Sequence, residues 1–165
     1  VFAVTGHASE AIEQFDRVIR AGTSVGSSLA VSVAQVSSLA VRARTGDVKE
    51  AMAAFVPVLG QYRRTRSFTH AITGLRNLIE LLVRAGHDEP AMELLGVLSN
   101  PDVKATYGSE SARLEEARVA ATRRLGPTGV ASSIEQGSTH NVTWAIDHAI
   151  AVLTDLDTDV ASRPS

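Results

Sequence analysis

The chain contains no cysteine, and aromatic residues make up only 4% of its 165 residues. The lack of cysteine excludes disulfides and thiolate metal sites, and it makes a reducing cytoplasm the simplest expected location. Hydrophobic residues still amount to 44% of the chain, so a core must be built mainly from alanine, valine, leucine and isoleucine. Such small aliphatic side chains favour closely packed helices over a β-sandwich. The composition therefore predicts an all-α fold.

Net charge is low as well, and one long segment has no charge at all. The net charge of −2 argues against a broad nucleic-acid-binding surface. Residues 21–41 carry no charged side chain. Their serines, threonine and glutamine make a membrane span a poor interpretation, because a span needs a nearly continuous run of strongly apolar residues. We expect a buried repeat helix there and no membrane association.

Three similar stretches begin at glycines that lie forty residues apart, namely Gly6, Gly46 and Gly86. In each stretch polar residues are followed by an alanine, an aliphatic residue and a larger apolar residue. The matching positions are Ala11, Ala51 and Ala91, then Ile12, Met52 and Met92, then Phe15, Phe55 and Leu95. Self-similarity at this period is typical of a solenoid of helix pairs. The first residues, VFAVTGHASE, are expected to fall inside such a unit of a longer protein.

Each repeat glycine is expected to end one helix in the left-handed conformation, and the polar residues after it are expected to cap the next helix. Asp47 with Glu50 has the spacing of a capping box, and Asp88 is the expected cap in the third copy. Pro57 removes a backbone donor inside its helix. This predicts a kink or an early end of that helix near Phe55.

Apolar residues at spacings of three and four predict the helices themselves. In the uncharged segment the predicted buried stripe is Leu29, Val33, Val36 and Ala40. The predicted helices are 8–21, 27–44 paired with 47–62, 67–85 paired with 88–98, 109–126 ended by Gly126-Pro127, a short 128–137, and 141–156 capped by Asn141. The predicted fold is all-α, a solenoid of antiparallel helix pairs that is similar to an array of tetratricopeptide repeats (TPR-like), with an atypical C-terminal cap. The repeats occupy 1–100, the capping helices 101–157, and a disordered tail 158–165.

The order of glycine, acid, polar residues, alanine and a larger apolar residue resembles the turn and second helix of a tetratricopeptide repeat. From about residue 66 onward, HAITGLRNLIELLVRAGHDEPAMELLGVL, YGSESARLEEARVAATRRLG and NVTWAIDHAIAVL resemble the C-terminal helical region of large bacterial regulators. Those regulators are ATP-binding STAND proteins of the LuxR and adenylate-cyclase-like types. The resemblance implies an upstream nucleotide-binding core and, often, a DNA-binding domain at the end. The family commonly has an acidic residue near the start of the last helix, where this chain has Thr143 and Trp144.

No stretch of the chain matches a catalytic, phosphate-binding or metal-binding motif. There is no G-x-x-x-x-G-K-[ST], and the five histidines form no H-E-x-x-H. We therefore expect this part of the protein to be non-catalytic and to hold no metal or cofactor. An enzyme whose active site is formed between helices stays open as an alternative. The basic cluster Arg63, Arg64 and Arg66 has two interpretations: contact with an anionic ligand or phosphate backbone, or charge that complements the end of a helix dipole. The second interpretation is favoured.

Stacked helix pairs are expected to leave a concave groove lined by the first helix of each pair. The predicted partner-binding residues are Gln35, Arg42, Asn77 and Arg84, placed there by helix phase, together with Arg63, Arg64 and Arg66. The predicted function is a non-catalytic protein-interaction or effector-sensing module of a bacterial signalling or transcriptional regulator. Its partner would be a protein, a peptide or another domain of the same chain. Two alternatives remain, a nucleic-acid-contacting segment that uses the arginines at 42, 44, 63, 64 and 66, and a unit that forms a homodimer.

Overall fold

A computed structural model describes residues 2–101, 103 and 109–161, with side chains for 7–101, 103 and 109–158. The described part is built from helices and contains no strand, which confirms the predicted all-α class. The helices are α1 (Phe2–Ser24), α2 (Ser28–Thr45), α3 (Val48–Thr65), α4 (Phe68–Arg84), α5 (Asp88–Leu98), α6 (Glu110–Ser138) and α7 (Val142–Ala161). None of these helices combines the length and the apolar character that crossing a bilayer requires. Of the predicted tail, 158–161 belong to α7, and 162–165 lie outside the described residues.

Neighbouring helices run antiparallel where specific contacts fix their direction. The Tyr62 hydroxyl donates to the Ser32 carbonyl at 3.0 Å, and the Gln35 amide donates to Gln61 at 3.0 Å. Because the two contacts are nearly equidistant from the turn at Asp47, α2 and α3 form a helical hairpin, as predicted. The helix α4 lies at the centre and contacts α2, α3, α5, α6 and α7. The last helix packs across α3, α4 and α5.

The core follows the aliphatic composition. Its largest fully buried side chains are Tyr62, Phe55, Leu39, Leu59, Leu75, Leu78, Ile79, Leu81, Leu82, Met92, Leu94 and Ile146. Alanines at 51, 71, 91, 117, 121, 145 and 149 are buried between the helices and allow their axes to approach closely. The repeat positions Ala51, Phe55 and Ala91 belong to this core, so the forty-residue pattern marks real packing positions in the second and third copies.

The three repeat glycines adopt three different conformations. Gly86 has φ 85 and ends α4 in the left-handed region, as predicted. The prediction is wrong for Gly46, which is extended at φ −78 and ψ 171. A β-carbon at Gly46 would lie 2.9 Å from the Arg42 carbonyl oxygen, so glycine there relieves crowding and serves no left-handed turn. It is also wrong for Gly6, because α1 runs through this residue without a break.

Of the three predicted helix caps, two are confirmed and one is wrong. The Asp47 carboxylate accepts from the Glu50 amide at 3.0 Å, and Asn141 accepts from the Trp144 amide at 2.9 Å, so both predicted caps are confirmed. Asp88 is not the cap of α5, since His87 occupies that position. Asp88 is instead the buried first residue of α5.

The helix interruptions predicted at Pro57 and at Gly126-Pro127 have different outcomes. The predicted break near Phe55 is wrong, because α3 continues from Val48 to Thr65. Pro57 and Ala53 are both exposed, so the carbonyl freed by the missing donor lies on the solvent side, while the opposite face is held in the core. By contrast, Gly126 has φ 75 and ψ 163, and it divides α6 into 110–125 and 127–138. That division confirms the predicted stop at Gly126-Pro127.

The apolar stripe of α2 is buried only in part. Val36 packs against the core, but Leu29 is 68% exposed and Val33 is 52% exposed. The buried face of the first half of α2 is formed by Val31 and Ala34 instead. The prediction that Leu29 and Val33 are buried is therefore wrong, because no described helix covers the N-terminal half of this stripe.

Candidate functional site

Three of the four predicted groove residues lie at the surface, and each of them contacts another residue of the protein. Gln35 binds Gln61, the Arg42 guanidinium lies 3.7 Å from the Asp16 carboxylate, and Arg84 donates to the Gly46 carbonyl oxygen at 2.8 Å. These contacts tie α2 to α1 and α3, and α4 to the C-terminal end of α2. Their use by a partner stays a prediction.

Asn77, the fourth groove residue, is buried with 4% exposure. Its side chain accepts from Arg44 at 2.8 Å and donates to the Thr73 carbonyl at 2.9 Å. Arg44 also lies 3.3 Å from Glu80, which in turn binds Arg113 at 3.0 Å. This network joins α2, α4 and α6, and its carboxylate stands between two guanidinium groups. Because Asn77 lies beneath the surface, it is poorly placed to contact a partner directly.

The basic cluster is partly neutralised by the last helix. Both carboxylate oxygens of Asp147 accept from the Arg63 guanidinium, at 3.0 and 3.3 Å. Arg64 and Arg66 are exposed, and neither forms an ion pair within the described residues. Arg66 also closes α3 in the left-handed conformation, with φ 55. The sequence pattern pointed to this cluster but gave no indication that α7 would supply a counter-charge.

A surface cleft lies elsewhere, where α5, the second half of α6 and the first turns of α7 meet. Its volume is about 600 Å³. The residues that line it are Glu93, Ser132, Glu135, Gln136, Thr139, His140, Trp144 and His148. Sequence reasoning did not single out this set. We call it the Trp144 cleft.

A stack of three rings forms one side of the Trp144 cleft. The rings of His140 and Trp144 are 3.9 Å apart and 7° from parallel, and those of Trp144 and His148 are 4.4 Å apart and 13° from parallel. The spacing of four residues places the Trp144 and His148 rings one helical turn apart on the same side of α7, and His140 adds the third ring from the turn before the helix. This spacing is visible in HNVTWAIDH, residues 140–148, and could have predicted the stack. The rings stiffen one another and hold the indole at the cleft.

The other side of the cleft is acidic. Glu93 on α5 places one carboxylate oxygen 2.6 Å from the His148 Nε2 atom at the inner end of the stack. Glu135 on α6 is exposed and has no ion-pair partner among the described residues. Gln136 contributes an amide beside it. The cleft therefore combines flat ring surfaces with one engaged and one available carboxylate.

The geometry of the cleft suits binding by stacking and charge-assisted hydrogen bonds. Within the described ranges, no three histidine, aspartate or glutamate side chains converge in a way that would hold a metal ion. The Thr139 hydroxyl is engaged with the Gln136 carbonyl at 2.8 Å. The groups left to meet a ligand are the Glu135 carboxylate, the Gln136 amide and the ring of His140, which is exposed at the outer end of the stack.

Comparison with known proteins gives no relative. No family model, no curated protein and no solved structure matches the chain. The function is therefore inferred from the residues and their geometry.

Proposed function

We propose that this chain is a non-catalytic helical-repeat module that binds a protein or peptide partner through the Trp144 cleft. The observation that carries the proposal is the position of the exposed Glu135 carboxylate beside a preformed aromatic stack in an open cleft of about 600 Å³. Ligands usually bind to proteins in largely preformed clefts that present a few convergent polar groups.

The chemistry of the cleft indicates a cationic side chain as the part of the partner that enters it. A guanidinium is planar, so it stacks on flat rings, and it donates two parallel hydrogen bonds to a carboxylate. Glu135 and the amide oxygen of Gln136 supply acceptors, and His140 is exposed at the outer end of the stack. An arginine in an extended peptide meets all three requirements.

The finer architecture in the proposal is a TPR-like array whose repeats are the hairpins α2–α3 and α4–α5. Its support is the forty-residue register of Ala51, Ala91, Phe55 and Leu95, which pack in or against one core. The sequence resemblance extends the proposal to a signalling or transcriptional regulator of bacteria. In that setting the partner is a protein, a peptide or another domain of the same chain, and the module contributes recognition.

The proposal is tested by titrating the protein with a short arginine-rich peptide while recording tryptophan fluorescence. Trp144 is the only tryptophan in the chain, so the emission reports the cleft alone. We expect a saturable change in emission. In Glu135→Gln, which keeps the shape of the side chain and removes its charge, affinity should fall about five-fold, because an exposed ion pair contributes about 1 kcal/mol.

Matched controls separate cleft binding from general charge attraction. Glu116→Gln removes an exposed carboxylate from the first half of α6, outside the cleft, and should leave the affinity unchanged. A glutamate-rich peptide of equal length should produce no saturable change. Equal losses in Glu135→Gln and Glu116→Gln, or equal binding of both peptides, would refute the proposal.

The nucleic-acid alternative has weaker support. Of the five arginines it invokes, Arg42 lies near Asp16, Arg44 near Glu80 and Arg63 near Asp147. Neutralised guanidinium groups release few counter-ions when they meet a phosphate backbone, so they add little affinity. Retention on a DNA column at low salt, lost in an Arg64→Ala and Arg66→Ala double variant, would favour this alternative over the cleft.

A further inference from the structure

The outer ring of the stack in the Trp144 cleft is an imidazole. His140 and His148 lie nearly parallel to the indole, with centroid distances of 3.9 and 4.4 Å, so the middle ring of the stack has no free face. His140 is exposed, whereas the Nε2 atom of His148 lies 2.6 Å from the Glu93 carboxylate. A flat cationic group that enters the cleft therefore stacks on His140.

An imidazole is a stacking surface whose charge depends on pH. Histidine is the side chain that ordinarily changes its charge between about pH 5 and 8. The neutral ring offers a flat face to a guanidinium, and the protonated ring repels the guanidinium as a like charge. An exposed carboxylate stays ionised over most of this range, so the ring is the part of the site that responds first to a proton.

The other ionisable groups of the cleft do not replace His140 in this role. Glu93 from α5 and Glu135 from α6 line the cleft as acids, and His148 lies behind the indole with Glu93 as its counter-charge. A proton on His148 is balanced by that adjacent carboxylate and adds little charge where a partner stacks. Among the described residues that line the cleft, His140 alone places an unbalanced titrating group on the stacking face.

The elements that pack against α7 direct their charges elsewhere. Arg63 of α3 is paired with Asp147, and Asp88 of α5 is bound by Arg124. Glu89 of α5 is exposed but is not part of the cleft lining. The ionisable side chains of α4 lie against α2, α3, α6 or the turn before α3: His70, Arg76, Glu80 and Arg84. The charge of the stacking face is therefore set within the cleft.

We propose that the Trp144 cleft binds its cationic partner in competition with a proton at His140. The affinity is highest where His140 is neutral, and it falls as the pH is lowered through the range in which the ring takes up a proton. Because linkage is reciprocal, a bound guanidinium must in turn make His140 release a proton. This coupling rests on the proposed function, and it adds regulation by pH to the same site.

The test compares peptide affinity at about pH 8 and about pH 5.5, at one ionic strength, with the fluorescence titration of Trp144. The probe is an acetylated and amidated arginine-rich peptide, whose charge is constant because a guanidinium keeps its proton. Wild-type affinity should be lower at about pH 5.5 by about five-fold or more, the effect of one like charge at contact distance in water. The helical circular dichroism of the same samples is the control for unfolding in acid.

Two variants assign the effect to one ring. His140→Phe keeps a flat ring without a titrating nitrogen, so its affinity should be the same at the two pH values. His7→Phe is the same change at an exposed histidine of α1, outside the cleft, and it should lose affinity in acid as the wild type does.

A second measurement counts the protons. Isothermal titration calorimetry at about pH 6.5, in two buffers of different ionisation enthalpy, gives the number of protons released when the peptide binds. The wild type should release a fraction of one proton. His140→Gln, which has no ring, should release none, so the assignment does not depend on how phenylalanine packs in the stack.

Each outcome bears on the coupling or on the binding itself. A wild type that does not bind the peptide at about pH 8 refutes both. Binding of equal strength at the two pH values, or binding without proton release, overturns the coupling and leaves the proposed function standing. A loss of affinity in acid that persists in His140→Phe belongs to another group and also overturns the coupling at His140.

Discussion

Gly96 of α5 and Gly137 of α6 meet at the point where those two helices cross. A β-carbon on Gly137 would overlap the backbone of Glu93, and one on Gly96 would overlap the Ile134 carbonyl and lie 2.9 Å from the Ser138 amide. Only glycine allows this approach, which brings Glu93 beside residues 135–139. The pair therefore places Glu93 and Glu135 in the lining of the same cleft.

Replacing Gly137 by alanine should push α5 and α6 apart. The overlap is with backbone atoms, which cannot rotate away, so the free energy of unfolding should fall by about 1–3 kcal/mol. The displacement of Glu93 should also weaken peptide binding at the cleft. Urea unfolding followed by circular dichroism measures the first effect, and the fluorescence titration measures the second.

Gly60→Ala is the matched control for Gly137→Ala. In α3 the nearest atom to a β-carbon at Gly60 is the flexible Arg64 Nη1, at 3.4 Å. This change should leave the protein equally stable or stabilise it by about 0.5–1 kcal/mol, because alanine is the better helix former. If Gly137→Ala is no more destabilising than this control, the crossing is looser than described.

The ion pair between Arg76 and Glu110 joins α4 to the start of α6 inside the fold. Their side chains are 5% and 11% exposed and approach to 3.1 Å. Glu110→Gln should destabilise the protein by about 3 kcal/mol, because it leaves the Arg76 charge buried without its counter-charge. Glu115→Gln on the same helix is the control: its partner Arg118 lowers the Glu115 pKa through a hydrogen bond at the surface, and no measurable loss is expected. Equal effects of the two changes in urea unfolding would contradict this description.

The buried hydroxyl of Tyr62 should make stability fall in alkaline solution. Burial raises the pKa of Tyr62 well above its ordinary value of 10.0. Above pH 10 the unfolded chain therefore releases a proton that the folded chain retains, and stability should drop by about 1.4 kcal/mol per pH unit. At lower pH both states hold the proton, so this contribution is fully present there.

Tyr62→Phe separates this titration from the hydrogen bond to Ser32. At neutral pH the variant should be less stable by about 1 kcal/mol, since the hydroxyl donates to the Ser32 carbonyl at 3.0 Å. Above pH 10 its stability should decline less steeply than that of the wild type, so the two curves should converge. Parallel pH profiles would show that Tyr62 does not titrate in the unfolding transition.

Two adjacent residues of α7 should differ in what they contribute to its docking. Ile146 is fully buried, and Ile146→Ala should cost about 2–5 kcal/mol. Asp147, whose side chain is 55% exposed, binds Arg63, and Asp147→Asn should cost less than about 1 kcal/mol. Trp144 emission during urea unfolding gives both values. A larger loss for Asp147→Asn would mean that charge, and not the apolar face, holds α7 on α3.

Local chemistry made much of the fold predictable. Asp47 before Glu50, and Gly126 before Pro127, are short-range patterns whose physical effect depends on the neighbouring residues alone, and both were predicted correctly. The conformation of Gly46 was not predicted correctly. Its backbone is extended, not left-handed, and glycine is used there because a β-carbon would crowd the Arg42 carbonyl oxygen. Local patterns therefore predict where helices begin and end more reliably than they predict why a glycine is needed at a given position.

The exposed N-terminal half of α2 and the cleft depended on tertiary packing. Leu29 and Val33 have the spacing of a buried stripe, but the hydrogen bonds that join α2 to α4 lie at Arg44, near the C-terminal end of α2. In the same way, the ring stack is local to α7 and the turn before it, but the carboxylates opposite it come from α5 and α6. The closeness of α5 and α6 requires both Gly96 and Gly137, residues that sequence patterns would count merely as poor helix formers.

The most direct test of the Trp144 cleft is a two-dimensional ¹⁵N–¹H correlation spectrum recorded while the arginine-rich peptide is added. The account predicts shifts of the Trp144 indole signal and of the amides of Glu135, Gln136 and Thr139, with the amides of Leu29 and Val33 unchanged. Shifts centred on Arg64, Arg66 or the N-terminal half of α2, or no shifts at saturating peptide, would contradict it.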